Sequence, residues 1–115
     1  MTTLYGIPNC DTVKKARAWL SEHRVDHSFH DFKKQGVPDA ALDQWLAAAG
    51  WETVINRKGT TWRQLDETTR AGVADAASAR AVALANPSVI KRPVVQWNDG
   101  AITVGFNAAD WAQRA

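Results

Sequence analysis

The amino-acid sequence predicts a mixed α/β domain, and three observations lead to this. A short apolar segment, Leu4 to Ile7, is followed by a turn and then by a helical pattern. Near the other end, two apolar segments flank Asn98-Asp99-Gly100, whose Asp-Gly pair is a strong β-hairpin signal. Most of the chain between these ends has helical periodicity. Together they indicate one sheet that contains both parallel and antiparallel strands.

The length and composition fit one soluble domain over residues 1–115. With 115 residues, of which 45% are hydrophobic and 23% charged, the chain is long enough for one core and short for two. The net charge of +2 is too small to indicate a nucleic-acid partner. No run of about 18 apolar residues is present, and the N-terminal segment lacks the pattern of a targeting signal. We therefore expect a cytoplasmic monomer that binds neither nucleic acid nor a membrane.

The first strand and the first helix frame the only cysteine of the chain. The strand from Leu4 ends at the turn-forming pair Pro8-Asn9. From Asp11 to near His23 the apolar residues recur at helical spacing, and the basic residues mostly face the other way. Cys10 is thus expected between the end of a strand and the start of a helix.

Cys10 is a candidate nucleophile because of this position. The first backbone N–H groups of a helix have no intrahelical partner and carry the positive end of the helix dipole. They stabilise a thiolate, which is the nucleophilic form of cysteine. The alternative is that Cys10 is a small buried apolar residue. Its place between Asn9 and Asp11, off the apolar stripe, makes packing a poor explanation. Since it is the only cysteine, an internal disulfide is excluded.

The second strand is predicted at His27 to Phe32, and a polar turn from Lys33 to Gly36 follows it. The histidines at 23, 27 and 30 raise the question of a metal site. His27 and His30 would point to opposite faces of a strand, and no second cysteine supports a site. We expect no metal.

A helical insert is predicted from about residue 37 to residue 86. Pro38 fits the first turn of a helix that ends at Gly50, and a connector runs from Trp51 to Gly59. A short helix capped by Thr60 or Thr61 comes next. The segment from Thr69 to Ala85 then predicts one alanine-rich helix, closed by Asn86-Pro87.

The hairpin strands are predicted at Pro93 to Trp97 and at Ala101 to Val104, before a last helix that begins at Asn107. This order of elements is that of a thioredoxin-like fold carrying a helical insert. In such a sheet Cys10 lies outside the carboxyl end of the first strand, where ligands of open α/β sheets bind.

Four segments, in their order and spacing, carry a resemblance to a known family. They are GIPNCDTVKKAR from Gly6, DFKKQG from Asp31, INRKGTTWR from Ile55, and Lys91-Arg92-Pro93. Together they resemble the arsenate reductases of the ArsC type, and more closely the YffB branch of that family. The resemblance runs from about Leu4 to Trp111, and any single segment would be a weak signal.

The resemblance implies that Cys10 attacks an oxyanion or a disulfide. It also implies that glutathione, or a small redox protein such as glutaredoxin, restores the cysteine. Arg57 and Arg92 match anion-binding arginines of the family, and two forked N–H groups suit oxyanion or carboxylate oxygens. Pro93 matches a proline that thioredoxin-like folds keep cis, and Asn9 is placed to offer a hydrogen bond to the bound group.

Each of these roles has a simpler alternative. Arg57 and Arg92 can be solvated surface side chains or members of structural ion pairs. Pro93 can be a trans proline that starts an edge strand. Asn9 can serve only the geometry of the turn.

The chain departs from the arsenate reductases at three places. Gly6 and Val13 stand where those enzymes carry a histidine and a serine, and Val104-Gly105-Phe106 lacks a third arginine. A glycine at position 6 is expected to leave space near the sulfur for a glutathionyl group. We therefore predict a glutathione-dependent thiol reductase that uses one cysteine, has no tightly bound cofactor and takes glutathione as co-substrate.

Two alternatives to this function remain. One is an arsenate reductase coupled to glutathione or glutaredoxin. The other belongs to a different class: the Spx regulators share the fold and contact RNA polymerase without turnover. Spx proteins usually carry a redox-sensing CxxC pair, whereas here Cys10-Asp11-Thr12-Val13 has one cysteine.

Overall fold

A mixed four-stranded sheet forms the frame of the protein in a computed structural model, which describes residues 1–114. The strand order is β2-β1-β3-β4. β1 pairs with β2 in parallel and with β3 in antiparallel orientation, and β3 pairs with β4 as a hairpin. The predicted combination of parallel and antiparallel strands is confirmed. The strands are β1 Thr2–Gly6, β2 His27–Asp31, β3 Val94–Gln96 and β4 Ile102–Val104.

The register of the sheet decides which chain segments meet at one edge. Gly6, the last residue of β1, is aligned with Asp31, the last residue of β2. Tyr5 is aligned with Val94, the first residue of β3. The carboxyl ends of β1 and β2 and the amino end of β3 therefore share one edge of the sheet.

Helix α1, Asp11–Glu22, connects β1 to β2 and covers one face of this sheet. Its buried residues, Val13, Ala16 and Leu20, follow the predicted stripe. Helix α8, Ala108–Arg114, starts as predicted at Asn107, whose Oδ1 accepts the Asp110 N–H at 3.1 Å. The core on this face consists of Leu4, Val13, Ala16, Leu20, Val95, Trp97 and Trp111.

The chain divides into two compact units. The first contains Met1–Gln35 and the C-terminal segment that begins at Arg92, so it holds the whole sheet. The second is Gly36–Lys91. The interpretation of residues 1–115 as a single domain stays a prediction.

The second unit is helical around a core of its own. Helix α3 ends as predicted at Gly50, whose φ of 84° suits glycine. Ile55 and Ile90 form an isolated antiparallel bridge, and both are buried. Besides α2, Phe32–Gln35, which belongs to the first unit, the remaining helical elements are α3 Asp39–Ala49, α4 Trp51–Val54, α5 Thr60–Gln64, α6 Glu67–Ala71, α7 Ala76–Ala85 and a 3-10 turn at Pro87–Val89.

The alanine-rich segment from Thr69 to Ala85 is not one helix, so that prediction is wrong. It is divided between α6 and α7, because two aspartates start new helices. The Asp66 carboxylate accepts the Thr69 N–H at 2.6 Å. The Asp75 carboxylate accepts the Ser78 N–H at 2.9 Å. The Ser78 hydroxyl oxygen in turn accepts the Asp75 N–H, which completes a capping box.

Three smaller predictions also need correction. The polar turn after β2 is helix α2, because the Asp31 carboxylate accepts the Lys33 N–H at 2.8 Å and begins a helical turn. The connector after Gly50 begins with helix α4. Helix α5 is preceded by Gly59 and has no side-chain cap, so neither Thr60 nor Thr61 is its cap.

No helix within the described part of the chain, residues 1–114, has the length and apolar character needed to span a membrane.

Candidate functional site

Cys10 occupies the N-cap position of α1, as predicted. Its backbone is extended, with φ −99° and ψ 125°, and its carbonyl oxygen accepts the Lys14 N–H at 2.9 Å. Its side chain makes no capping hydrogen bond. The thiol is half-buried and packs beside the core under α1. Cys10 therefore stands at the N-terminus of the 12-residue helix α1.

The space expected beside Gly6 is filled, so that expectation is wrong. A Cβ atom built on Gly6 would lie 2.8 Å from Cγ2 of Val13. Gly6 and Val13, two of the three departures from the arsenate reductase pattern, thus meet in one packing contact between the end of β1 and the first turn of α1. Neither residue carries a polar side chain that a thiolate could use, and neither leaves room for a glutathionyl group at Gly6.

Arg92 and Pro93 lie at the edge of the sheet that also carries the turn to Cys10. They directly precede Val94, which is aligned with Tyr5. The Arg92-Pro93 peptide bond is cis, as the resemblance implied. The Pro93 carbonyl oxygen accepts the Gly105 N–H at 2.8 Å, which ties this edge to the end of β4. Pro93 is buried and Arg92 is half-buried.

Asn9 is exposed, in the turn directly before Cys10. Asn9, Cys10, Arg92 and Pro93 all belong to the first unit. Their roles in binding stay predictions.

Arg57 belongs to the second unit, where it has partners of its own. Its Nη2 lies 3.4 Å from Oε2 of Glu52, and its guanidinium lies 5.4 Å from the centre of the Trp51 ring. Both members of the ion pair are substantially exposed, with 48% of the Arg57 side chain and 67% of the Glu52 side chain accessible. Such an exposed pair contributes little stability. The role of Arg57 in anion binding stays a prediction.

The backbone around Arg57 is held by its neighbour Asn56. The Asn56 N–H donates to the Val89 carbonyl at 2.7 Å, and its side-chain oxygen accepts the Lys58 N–H at 3.2 Å. The predicted segment Asn56-Arg57-Lys58 is therefore an ordered turn between α4 and α5.

The sequence of the chain matches a family model over residues 5–114, nearly its full length. The chain belongs to the ArsC family. This ArsC-family protein is similar to the solved structure of a protein named YffB, with 48% sequence identity, a TM-score of 0.94 and coverage of 99% of this chain and 98% of that one. It is also similar to the solution structure of an arsenate reductase (ArsC) related protein from Brucella melitensis, with 50% identity, a TM-score of 0.74 and coverage of 97% and 92%.

A regulator is also among the relatives of this ArsC-family protein. The global transcriptional regulator Spx of Streptococcus pyogenes serotype M6 is 29% identical to it, over 93% of this chain and 79% of Spx. The thioredoxin-like fold class predicted from the order of elements is confirmed, as is the resemblance to the ArsC family and its YffB branch.

Sequence reasoning missed two features of this ArsC-family protein. One is Glu52 as the partner of Arg57; helix α4 ends at Val54, between the two residues, so no helical spacing rule indicates the pair. The other is the role of Asp31 at the end of β2. Its signal was present, since an aspartate that accepts the N–H two residues later is a common turn pattern.

A metal finds no ready site in the described residues. Within residues 1–114, no three side chains of histidine, cysteine, aspartate or glutamate lie close enough together to hold one.

Proposed function

We propose that this protein is a glutathione-dependent thiol–disulfide reductase in which Cys10 is the nucleophile. The observation that carries the proposal is the position of the half-buried Cys10 sulfur at the N-terminus of α1, with no capping role. Membership of the ArsC family supports thiol chemistry at this position. With one cysteine in the chain, the second thiol of any disulfide exchange has to come from outside.

The reaction has two exchange steps. The Cys10 thiolate attacks the glutathionyl sulfur of a mixed disulfide, forms a disulfide between Cys10 and glutathione, and releases the substrate thiolate, which takes up a proton. A second glutathione thiolate then attacks the glutathionyl sulfur on Cys10. Oxidised glutathione leaves and the Cys10 thiolate is restored. Overall, the substrate disulfide is reduced and two glutathione molecules are joined.

Arg92 supports this chemistry by charge. It lies at the same edge of the sheet as the turn to Cys10, and its guanidinium suits the carboxylates of glutathione. The contact between Gly6 and Val13 leaves no hydrogen-bonding side chain at the two positions where the arsenate reductases carry histidine and serine. This favours a disulfide over an oxyanion substrate.

The test is formation and release of a glutathionyl adduct. Wild-type protein is incubated with oxidised glutathione, the adduct is located by mass spectrometry, and its loss is followed after addition of reduced glutathione. We expect the adduct on Cys10 only, and none in Cys10→Ser. An Arg92→Ala variant is expected to form it more slowly. Failure of wild type to form or to release the adduct contradicts the proposal.

Arsenate reduction is the second candidate, favoured by the similarity to an arsenate reductase related protein at 50% identity. It is tested by arsenite production from arsenate with glutathione, with and without glutaredoxin. Production that requires Cys10, together with no turnover of mixed disulfides, would replace the first proposal.

A regulator without turnover is the remaining candidate, and the similarity to Spx supports it. Purified RNA polymerase is the probe. Binding that is unchanged in Cys10→Ser, in a protein that forms no glutathionyl adduct, favours this candidate over both enzymes.

A further inference from the structure

Lys14 lies in the first turn of α1, and the contacts of the first unit show which side of the helix it occupies. The Arg17 guanidinium lies 4.3 Å from the centre of the Phe29 ring, so this side of α1 faces β2. Lys14 is one helical turn before Arg17 and lies on the same side, closer to Cys10. Lys14 is exposed.

Two further lysines, Lys33 and Lys34, follow the end of β2 at the same edge of the sheet. Val13 in the first turn of α1 contacts Gly6, and Gly6 is aligned with Asp31. Lys33 and Lys34 follow Asp31 directly in helix α2, and both are exposed. Lys14, Lys33 and Lys34 therefore lie at the same edge of the sheet as Cys10; we call them the lysine patch.

The backbone that carries Lys33 and Lys34 is fixed by a buried carboxylate. Asp31 is only 8% exposed, and its Oδ1 accepts the Lys33 N–H at 2.8 Å. In return, the Asp31 N–H donates to the Gln35 side chain at 3.2 Å. These two bonds tie α2 to the end of β2, so Lys33 and Lys34 are carried by a hydrogen-bonded turn.

The charge of the lysine patch is not neutralised by ion pairs. The ion pairs found within residues 1–114 involve Arg57, Arg80 and Arg114, and none involves a lysine. Asp11, three residues before Lys14, forms no such pair with it either. A group of cations at the same edge of the sheet as Cys10 suits a ligand that carries both a sulfur and carboxylates.

We propose that Lys14, Lys33 and Lys34 form a carboxylate-binding subsite that selects glutathione for the reaction at Cys10. This inference rests on the proposed function. Glutathione has two carboxylates, and a neutral thiol such as 2-mercaptoethanol has none. The subsite therefore raises the affinity for glutathione and leaves the exchange with neutral thiols unchanged.

Binding is measured first, without the reaction. S-methylglutathione cannot exchange disulfides, and its dissociation constant is obtained from amide NMR shifts of 15N-labelled protein. We expect shifts of the Lys33 and Lys34 amides, and about tenfold weaker binding in the double variant Lys33→Ala/Lys34→Ala. The affinity of wild type is also expected to fall as salt is added. The S-methylglutathione diester, with both carboxylates blocked, is expected to bind as weakly to wild type as the acid binds to the variant.

Two control variants make the comparison specific. Lys33→Arg/Lys34→Arg keeps both charges and is expected to retain binding. Lys15→Ala removes an exposed lysine of α1 on another side of the helix and is expected to leave binding unchanged. Turnover is then measured with glutathione and with 2-mercaptoethanol as the second thiol. In the double alanine variant the KM for glutathione is expected to rise, while the KM for 2-mercaptoethanol is expected to stay unchanged.

Several results would overturn the lysine patch as a glutathione subsite. They are no binding of S-methylglutathione to wild type, equal binding to the double alanine variant, or equal binding of the diester. If a peptide of ten glutamates binds more tightly than S-methylglutathione, and the double alanine variant no longer binds the peptide, the patch is assigned to an acidic protein surface instead. Failure of the proposed function looks different: S-methylglutathione binds at the patch, but Cys10 forms no adduct.

Discussion

Gly6 and Val13 are in direct contact, since a Cβ atom on Gly6 would lie 2.8 Å from Cγ2 of Val13. The residue that ends the central strand is therefore matched in size to the residue that begins the buried stripe of α1. This contact fixes the height of the helix N-terminus, and with it Cys10, above the end of β1.

Gly6→Ala is expected to lower the free energy of unfolding by about 1–3 kcal/mol, because the added methyl group overlaps the Val13 side chain. Val13→Ala also destabilises, by leaving a cavity. In the double variant each change compensates for the other, so its loss is smaller than the sum of the two. Urea unfolding followed by tryptophan fluorescence measures all three. Strictly additive losses would show that the two residues do not compete for the same space.

Thr103→Val is expected to destabilise the protein by about 1–3 kcal/mol, because it leaves a buried donor unpaired. The indole N–H of Trp97 donates to the Thr103 hydroxyl at 3.0 Å, and Trp97 is 5% exposed. Valine has nearly the shape of threonine but no acceptor. Thr103→Ser keeps the hydroxyl and serves as the control. Thermal unfolding of wild type and of both variants measures the effect. Equal midpoints for Thr103→Val and wild type would contradict this role of the hydrogen bond.

Tyr5 is expected to ionise above its ordinary value in the folded protein, because burial raises the pKa of its hydroxyl from 10.0. The ring lies beside those of His30 and Phe32, and the residue is 9% exposed. Since Tyr5 is the only tyrosine, ultraviolet difference absorbance of tyrosinate reports this group alone. The midpoint is expected above 10.0 in buffer and near it in urea.

The raised pKa of Tyr5 makes the free energy of unfolding decrease at high pH. The folded state holds the proton more firmly than the unfolded state, so the contribution is complete below pH 10.0 and is lost as the pH rises above it. Tyr5→Phe has no phenolic proton to lose, so its free energy of unfolding should fall less than that of wild type between pH 9 and pH 11. The same steep decline in both proteins would contradict this.

Asp75→Ala is expected to lower the stability of α7 at neutral pH and to have less effect in acid. The Ser78 amide and hydroxyl, which donate to its carboxylate, hold the pKa of Asp75 below its ordinary value of 3.8. Because the folded-state pKa is lowered, the contribution is present above 3.8 and disappears as the pH falls below it.

The urea midpoints of wild type and Asp75→Ala should therefore converge between pH 6 and pH 2.5. Asp75→Asn keeps an uncharged acceptor. The difference between its urea midpoint and that of wild type should also become smaller in acid. A gap between wild type and the alanine variant that is independent of pH would place the effect in helix propensity and not in the cap.

The elements best predicted from the sequence are those with local signals. The apolar start of β1, the stripe of α1 and the Asp99-Gly100 turn each depend on residues close together in the chain. The position of Cys10 was also predicted from local signals, since a cysteine between a strand end and a helix start is visible without the fold. Asn107 as the cap of α8 belongs to the same class.

The predictions from sequence failed where a side chain caps a helix, or where side chains from different elements contact each other. Asp75 starts a second helix inside the segment that periodicity alone extends as one helix, because alanine repeats give no indication of where a cap lies. The space beside Gly6 was misjudged because Val13 enters it from another element. The partner of Arg57 was not predicted, since the turn between the residues sets the geometry of the pair.

The pairing of β1 with β3 joins residues from opposite ends of the chain, with the whole helical unit between them. Contacts between such distant residues close a large loop and make folding slow. On the ribosome, the segment Gly36–Lys91 is complete before β3 emerges, so it is expected to acquire structure while β1 still lacks its antiparallel neighbour. During that interval β1 presents an open edge, and the nascent protein depends on β3 to cover it before another chain can pair with that strand.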